Sequence, residues 1–149
     1  MVKHVDEIEL KVLAALRRNA RTSLLALARK LNIPSSTIHQ KMHRHEGNIV
    51  IKHTTLLDFN KLGYFRALFA IKTTPGVRDA VQAYLESHWG VNNVHKIDSG
   101  YDFLAEYVGK DQKEIEDFTD AVKCRPGVME VLRFTIIRDI AREIFGVER

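Results

Sequence analysis

The stretch Ser23-Leu24-Leu25-Ala26-Leu27-Ala28-Arg29-Lys30-Leu31-Asn32-Ile33-Pro34-Ser35-Ser36-Thr37-Ile38-His39-Gln40-Lys41-Met42-His43-Arg44 carries the pattern that decides the front of this chain. Ser23 is a capping residue type, and Leu24, Leu27, Ala28 and Leu31 follow it at helical spacing. Asn32-Ile33-Pro34 breaks that run. Ser35-Ser36 then opens another helix, with Ser35 as the expected cap and Ile38 and Met42 on one inward face. Two short helices joined by a tight turn read as a helix-turn-helix.

Working outward, Asp6 and Glu9 form a capping box ahead of a first helix that ends near Arg18-Asn19. Its expected inward stripe is Ile8, Val12, Ala15 and Leu16, widened by Leu13. Downstream, Gly47-Asn48 is a turn dipeptide, and Ile49 to Lys52 reads as a short strand, the wing. His45 falls at a core position, three residues after Met42. Residues 1–57 hold ten Lys/Arg against four Asp/Glu, a net of +6, whereas residues 58–149 come to −2. A basic front suits a polyanion, because each phosphate contact releases counterions. With Ile38 and Met42 inward, the outward side chains of the third helix are donors and cations, suited to phosphates and base edges of double-stranded DNA. The candidate DNA-binding residues are Ser35, Ser36, Thr37, His39, Gln40, His43 and Arg44, with Lys41 and Lys52 on phosphates. Gln40 suits adenine, and Arg44 suits guanine or a phosphate. His39 and His43 share a helical face, a spacing that can hold a metal, but no third ligand is evident unless His45 or His53 folds in. No metal site is therefore expected.

Residues 54–63 read as a connector. Tyr64 to Ile71 follows as a strand with Phe65, Ala67, Phe69 and Ile71 on one face and Leu68 and Ala70 on the other. A strand apolar on both faces needs cover on both sides, from helices of the same domain and from a second subunit's sheet. Pro75-Gly76 ends it, and Val77, Ala80, Val81, Tyr84, Leu85 and His88 mark an amphipathic helix. Strands are expected over 91–97 and 101–108, a helix faced by Ile115, Phe118 and Val122, a strand over 128–137 and a short closing helix from Ile140 to Phe145. The order βαββαβ is the ferredoxin-like arrangement, so the fold class expected is α+β: a winged helix-turn-helix over 1–53 and a ferredoxin-like domain over 64–149.

The chain has 149 residues, 45% of them hydrophobic, enough for packed cores. No apolar run is long enough to span a bilayer, and the first residues lack an apolar signal segment. Cys124 is the single cysteine, so neither an internal disulfide nor a Cys-x-x-Cys zinc site is available. These features point to the cytoplasm and to no membrane partner. No Gly-rich phosphate loop or activated-nucleophile motif occurs, so neither an enzyme nor a cofactor is expected.

Several short pieces then match one family in order and spacing over nearly the whole chain. They are Asp6-x-x-Glu9-x-x-Val12-Leu13-x-x-Leu16, Asn19-Ala20-Arg21-x-Ser23, Leu27-Ala28, Ser36-Thr37-Ile38 and Arg44-x-Glu46 at the front. Behind them come Leu62-Gly63-Tyr64, Gly90-Val91, Val94-His95, Gly100-Tyr101-Asp102-x-Leu104 and Pro126-Gly127-Val128. The chain resembles the Lrp/AsnC (leucine-responsive, feast/famine) transcriptional regulators. It departs from their pattern at Ala26, Pro34, His45 and Ile49. The resemblance implies a RAM/ACT-like back domain for small-molecule sensing and assembly. It also implies a homodimer built by sheet-to-sheet packing, which associates further into a tetramer or octamer. The effector it implies is an amino acid held near the turn after the second strand of the back domain, here Asp98, Ser99, Gly100, Tyr101 and Asp102. Two rivals remain: an architectural DNA-binding protein without an effector, and an enzyme like the siroheme decarboxylases. The second is disfavoured because the strand holding Arg66 has no histidine.

Overall fold

The computed structural model describes residues 5–98 and 100–145. The chain forms two compact units, Met1–Leu56 with Ala141–Arg149, and Leu57–Ile140.

In the first unit, α1 (Glu7–Arg18) starts on the expected capping box: the Asp6 carboxylate accepts from the Glu9 amide at 2.8 Å, and the Glu9 carboxylate accepts from the Asp6 amide at 2.9 Å. Its buried stripe is Glu9, Val12 and Leu16, while Ile8 is 38% exposed. Val12 and Leu16 stand as expected, and at the first turn Glu9 replaces Ile8 on the buried side, where it meets cations of the third helix. Ser23 caps α2 (Leu24–Leu31), accepting from the Ala26 amide at 3.2 Å. Asn32 ends α2 in the left-handed region, φ 53°, which a short polar side chain tolerates and which turns the chain sharply. Helix α3 (Ser35–His45) follows at once. Val12, Leu16, Leu27 and Ile38 form the core, with Leu24, Leu31, Ile33 and Met42 packed around it.

Three sequence expectations change here. Pro34, not Ser35, occupies the cap position of α3, and no side chain caps that end. The expected wing strand from Ile49 to Lys52 is absent: Gly47 donates to the Val50 carbonyl and Val50 to that of His45, each at 2.9 Å, and a single bridge joins Glu46 to Val50. A strand needs a partner for its amides, and this segment spends its own in closing a tight turn on α3. Ile140 to Phe145 is irregular rather than helical, with Glu143 at φ 52°, a conformation incompatible with a right-handed helix.

The second unit is a four-stranded antiparallel sheet ordered β2-β3-β1-β4: β1 (Phe65–Thr73), β2 (Val91–Lys96), β3 (Phe103–Gly109) and β4 (Val128–Ile136). Helices α4 (Arg78–Ser87) and α5 (Gln112–Lys123) supply its crossovers, giving the ferredoxin-like βαββαβ order. Ala67, Phe69 and Ile71 of β1 and Phe103, Ala105 and Tyr107 of β3 point to the helix side. There they meet Val81 and Leu85 of α4 and Ile115, Phe118 and Val122 of α5. Among the described residues of this unit, no helix packs on the other face of the sheet. Across it the register sets Leu68 opposite Phe134 and Ala70 opposite Leu132, with Phe134 53% and Leu132 39% exposed. At one end of that face Arg66 and Glu106 are buried together at 3.3 Å. Asp139 takes the second Arg66 nitrogen at 2.7 Å, and Asn92 and Asn93 donate to Glu106. This network pairs charges that would otherwise be costly to bury, with Arg66 Nε left without a hydrogen-bond partner among the described residues.

Candidate nucleic-acid interface and effector cleft

The geometry of α3 sorts its side chains. Ile38 is buried and Met42 half-buried, and Ser35, Ser36, His39, Gln40, His43 and Arg44 are exposed. Thr37 is half-buried. The His39 and His43 rings stack with centroids 6.4 Å apart, and among the described residues no group of three His, Cys, Asp or Glu side chains is placed to hold a metal. At the N-terminus, the Pro34 carbonyl accepts from the Thr37 and Ile38 amides at 3.0 and 3.2 Å, and the end has no side-chain cap. That end therefore presents the positive pole of the helix dipole and suits an anion.

Lys41 is placed differently from the sequence expectation. Its ammonium turns inward, hydrogen-bonds the Asp6 carboxylate and lies 3.5 Å from Glu9 Oε1. It is not displayed with the polar face of α3. Glu9 Oε1 also meets Arg44 Nη1 at 3.1 Å and His45 Nε2 at 3.4 Å, so one buried carboxylate gathers three basic residues of α3. The Lys41 hydrogen bond holds the Asp6 carboxyl below its ordinary value, and the same bond raises Lys41. The Asp6 amide, donating to Glu9, is the main cause of Glu9's lowered value. His45, at a departure from the family pattern, is buried beside Glu9, where the sequence placed a core histidine. Lys52 is exposed, and His53 Nε2 contacts Glu46 at 3.0 Å.

In the second unit, a cleft of about 350 Å³ opens at the turn between β2 and β3. Asp98, Gly100, Tyr101 and Asp102 line it, four of the five residues expected there. Ser99 lies outside the described residues. Gly100 adopts φ +85°, a conformation favouring glycine, and carries the chain round the turn. Asp102 acts as a clamp: Oδ2 accepts from the Thr73 amide at 2.7 Å and the Thr73 hydroxyl at 3.0 Å, while Oδ1 meets Arg78 Nε at 2.7 Å. The Thr73 amide bond is the largest reason its carboxyl is held below the usual range. Tyr101 donates its hydroxyl to Glu130 at 3.1 Å, and its own acidity is suppressed first by burial and then by that carboxylate. The remaining wall comes from Lys72, Thr73, Arg78, Lys96 and Ile97, none of which the sequence singled out. They lie at or just past strand ends or at the start of α4, and only the β2-β3-β1 strand order brings them to the turn.

A family model described as winged helix-turn-helix DNA-binding matches residues 5–43, the three helices short of the last two residues of α3. The HTH-type transcriptional regulator LysM of Sulfurisphaera tokodaii is 27% identical over 135 residues, covering 90% of this chain and 96% of that one. Among solved structures, Escherichia coli AsnC superposes with a TM-score of 0.79 at 17% identity, over 94% of this chain and 97% of that one. The Neisseria meningitidis regulator NMB0573, solved as a complex with L-Met, superposes with a TM-score of 0.82 at 16% identity, over 93% and 94% of the two chains. A helix-turn-helix front joined to a ferredoxin-like sheet defines a two-domain DNA-binding transcriptional regulator. The chain is thus similar in sequence to helix-turn-helix transcriptional regulators and shares the fold of AsnC.

Proposed function

We propose that this regulator binds DNA as a homodimer, or an assembly of dimers, and responds to a small molecule held in the cleft at residues 98–102. On this reading residues 1–53 bind DNA, 54–63 connect, and 64–149 assemble and sense. DNA contact falls to Ser35, Ser36, Thr37, His39, Gln40, His43 and Arg44 on α3, with Lys52 on the backbone. Lys41 drops out because its ammonium is committed to Asp6. A dimer would set two α3 helices in successive major grooves, roughly 34 Å apart. The helix-free sheet face, with Phe134 and Leu132 exposed, supports pairing through that face. Higher assembly would raise avidity on DNA, and an effector that binds one assembly state better would shift the equilibrium.

The observation that carries the sensing half is the cleft itself. It is lined by charged and hydroxyl groups and built around the same turn the resemblance marks for an amino-acid effector. The relative solved with L-Met adds support. The test is to add each of the twenty amino acids in turn and follow melting temperature and assembly mass. One amino acid that raises the melting temperature and shifts the mass supports the reading through linkage. No response from any of them favours an architectural DNA-binding protein without an effector.

A further inference from the structure

Helix α3 contains one lysine and one arginine, Lys41 and Arg44, and carboxylates of α1 and its cap face both. Lys41 is turned inward and hydrogen-bonds Asp6. Arg44 stays outward, its side chain 59% exposed, with Nη1 3.1 Å from Glu9 Oε1. The Glu9 side chain is only 3% exposed, and its other oxygen, Oε2, accepts from the Asp6 amide at 2.9 Å. That capping bond fixes the carboxylate to the start of α1, so it cannot follow the arginine outward. His45, also at Glu9 Oε1, is buried and does not reach the surface. The exposed guanidinium of α3 thus has a backbone-held anion behind it. An incoming phosphate meets an arginine whose charge is partly answered, and it is repelled by the carboxylate as well.

We propose that Glu9 sets the DNA affinity of this surface by competing, as an internal anion, with phosphate for Arg44. This role rests on the placing of Arg44 at DNA under the proposed function, and it adds a residue that touches no DNA itself. The same ion pair acting as a support that aims Arg44 at DNA has the opposite sign, because removing Glu9 would then weaken binding. Competition is favoured because Glu9 holds the guanidinium through one nitrogen, whereas fixing its plane takes a two-pronged grip. Removing the Glu9 charge strands neither cation, since Lys41 keeps Asp6 and Arg44 keeps water. An ion pair with an exposed partner is weak, so the effect on affinity is severalfold rather than many orders of magnitude.

Fluorescence anisotropy of mixed-sequence duplex DNA, titrated with the full chain over a range of salt, tests this. The variants are Glu9→Gln, Arg44→Ala, the two combined, and Glu7→Gln. The last removes the same charge from an exposed position on α1 that pairs with Lys11. Glu9→Gln should bind about threefold more tightly per protomer at low salt, with the gain shrinking as salt screens it. The gain should vanish when Arg44 is Ala, and Glu7→Gln should change affinity much less. Melting curves report folding; where Glu9→Gln does not fold, Glu9→Leu, which continues the buried stripe of Val12 and Leu16, takes its place with the same expected gain. Unchanged or weaker binding by the folded Glu9 variant, an equal gain from Glu7→Gln, or a gain that persists without Arg44 would overturn the competition while leaving α3 as the DNA surface. Parent-like binding and salt slope in Arg44→Ala would take Arg44 off that surface and overturn the proposal with it.

Discussion

Arg44 and Lys41 are three residues apart on one helix and are assigned different work by a single carboxylate. Arg44 reaches Glu9 from an exposed position, whereas Lys41 is drawn in to Asp6 and Glu9. Replacing Arg44 with Ala should weaken DNA binding and reduce the salt slope by about one; an unchanged slope would take Arg44 off the phosphate list. Replacing Lys41 with Gln should instead lower the melting temperature and leave the slope nearly untouched. A slope reduced as much as in the Arg44 variant would return Lys41 to the DNA surface. Asp102 gives a pH test. Its folded value is depressed, chiefly by the Thr73 amide, so its stabilisation is complete above the ordinary aspartate range and is lost as pH falls through the folded value. Asp102→Asn should lower stability by about 1–3 kcal/mol at neutral pH and flatten the acid limb of a stability–pH curve. Equal losses in parent and variant between pH 6 and about pH 3 would show that the carboxylate does not carry that limb.

At the scale of elements, the ends matter as much as the faces. α2 is eight residues long and starts on a serine cap, so Ser23→Ala should cost about 1 kcal/mol. The turn into β4 is tighter. Gly127 sits at φ +78°, and a Cβ there would lie 2.5 Å from Val77 Cγ2 and 2.8 Å from Thr74 Oγ1, while its carbonyl accepts from the Thr74 amide at 2.8 Å. Gly127→Ala should therefore cost about 1–3 kcal/mol through strain and crowding. Chemical denaturation followed by circular dichroism measures both, and a neutral Gly127→Ala would mean that the 75–77 turn gives way without penalty.

For the whole molecule, the open sheet face is the element of the proposed assembly most directly tested. Phe134→Asp places a charge amid Leu68, Leu132 and Ala70. Sedimentation should show a smaller assembly, and DNA affinity should fall at least about tenfold because linked half-sites lose their avidity. A mass identical to that of the parent would rule out this face as the main interface.

The local pattern in the sequence was sufficient for much of this architecture. Capping by Asp6 and Ser23, the apolar period of α5 and the βαββαβ order depend on neighbours within a few residues, and those are legible in order along the chain. The 98–102 turn was reached through resemblance, and its glycine conformation is itself a local property. Other features required three dimensions. Glu9 is buried, and Lys41 turned inward, only because α1 and α3 pack together, a contact between groups 32 residues or more apart. Ile49 to Lys52 has strand-forming residues but, among the described residues, only the single Glu46–Val50 bridge and no partner strand, and pairing is not a property of the segment. Lys72, Arg78 and Lys96 meet at the cleft because β3 pairs with both β2 and β1, and such long-range adjacency is set by the packing of the whole sheet rather than by any local signal.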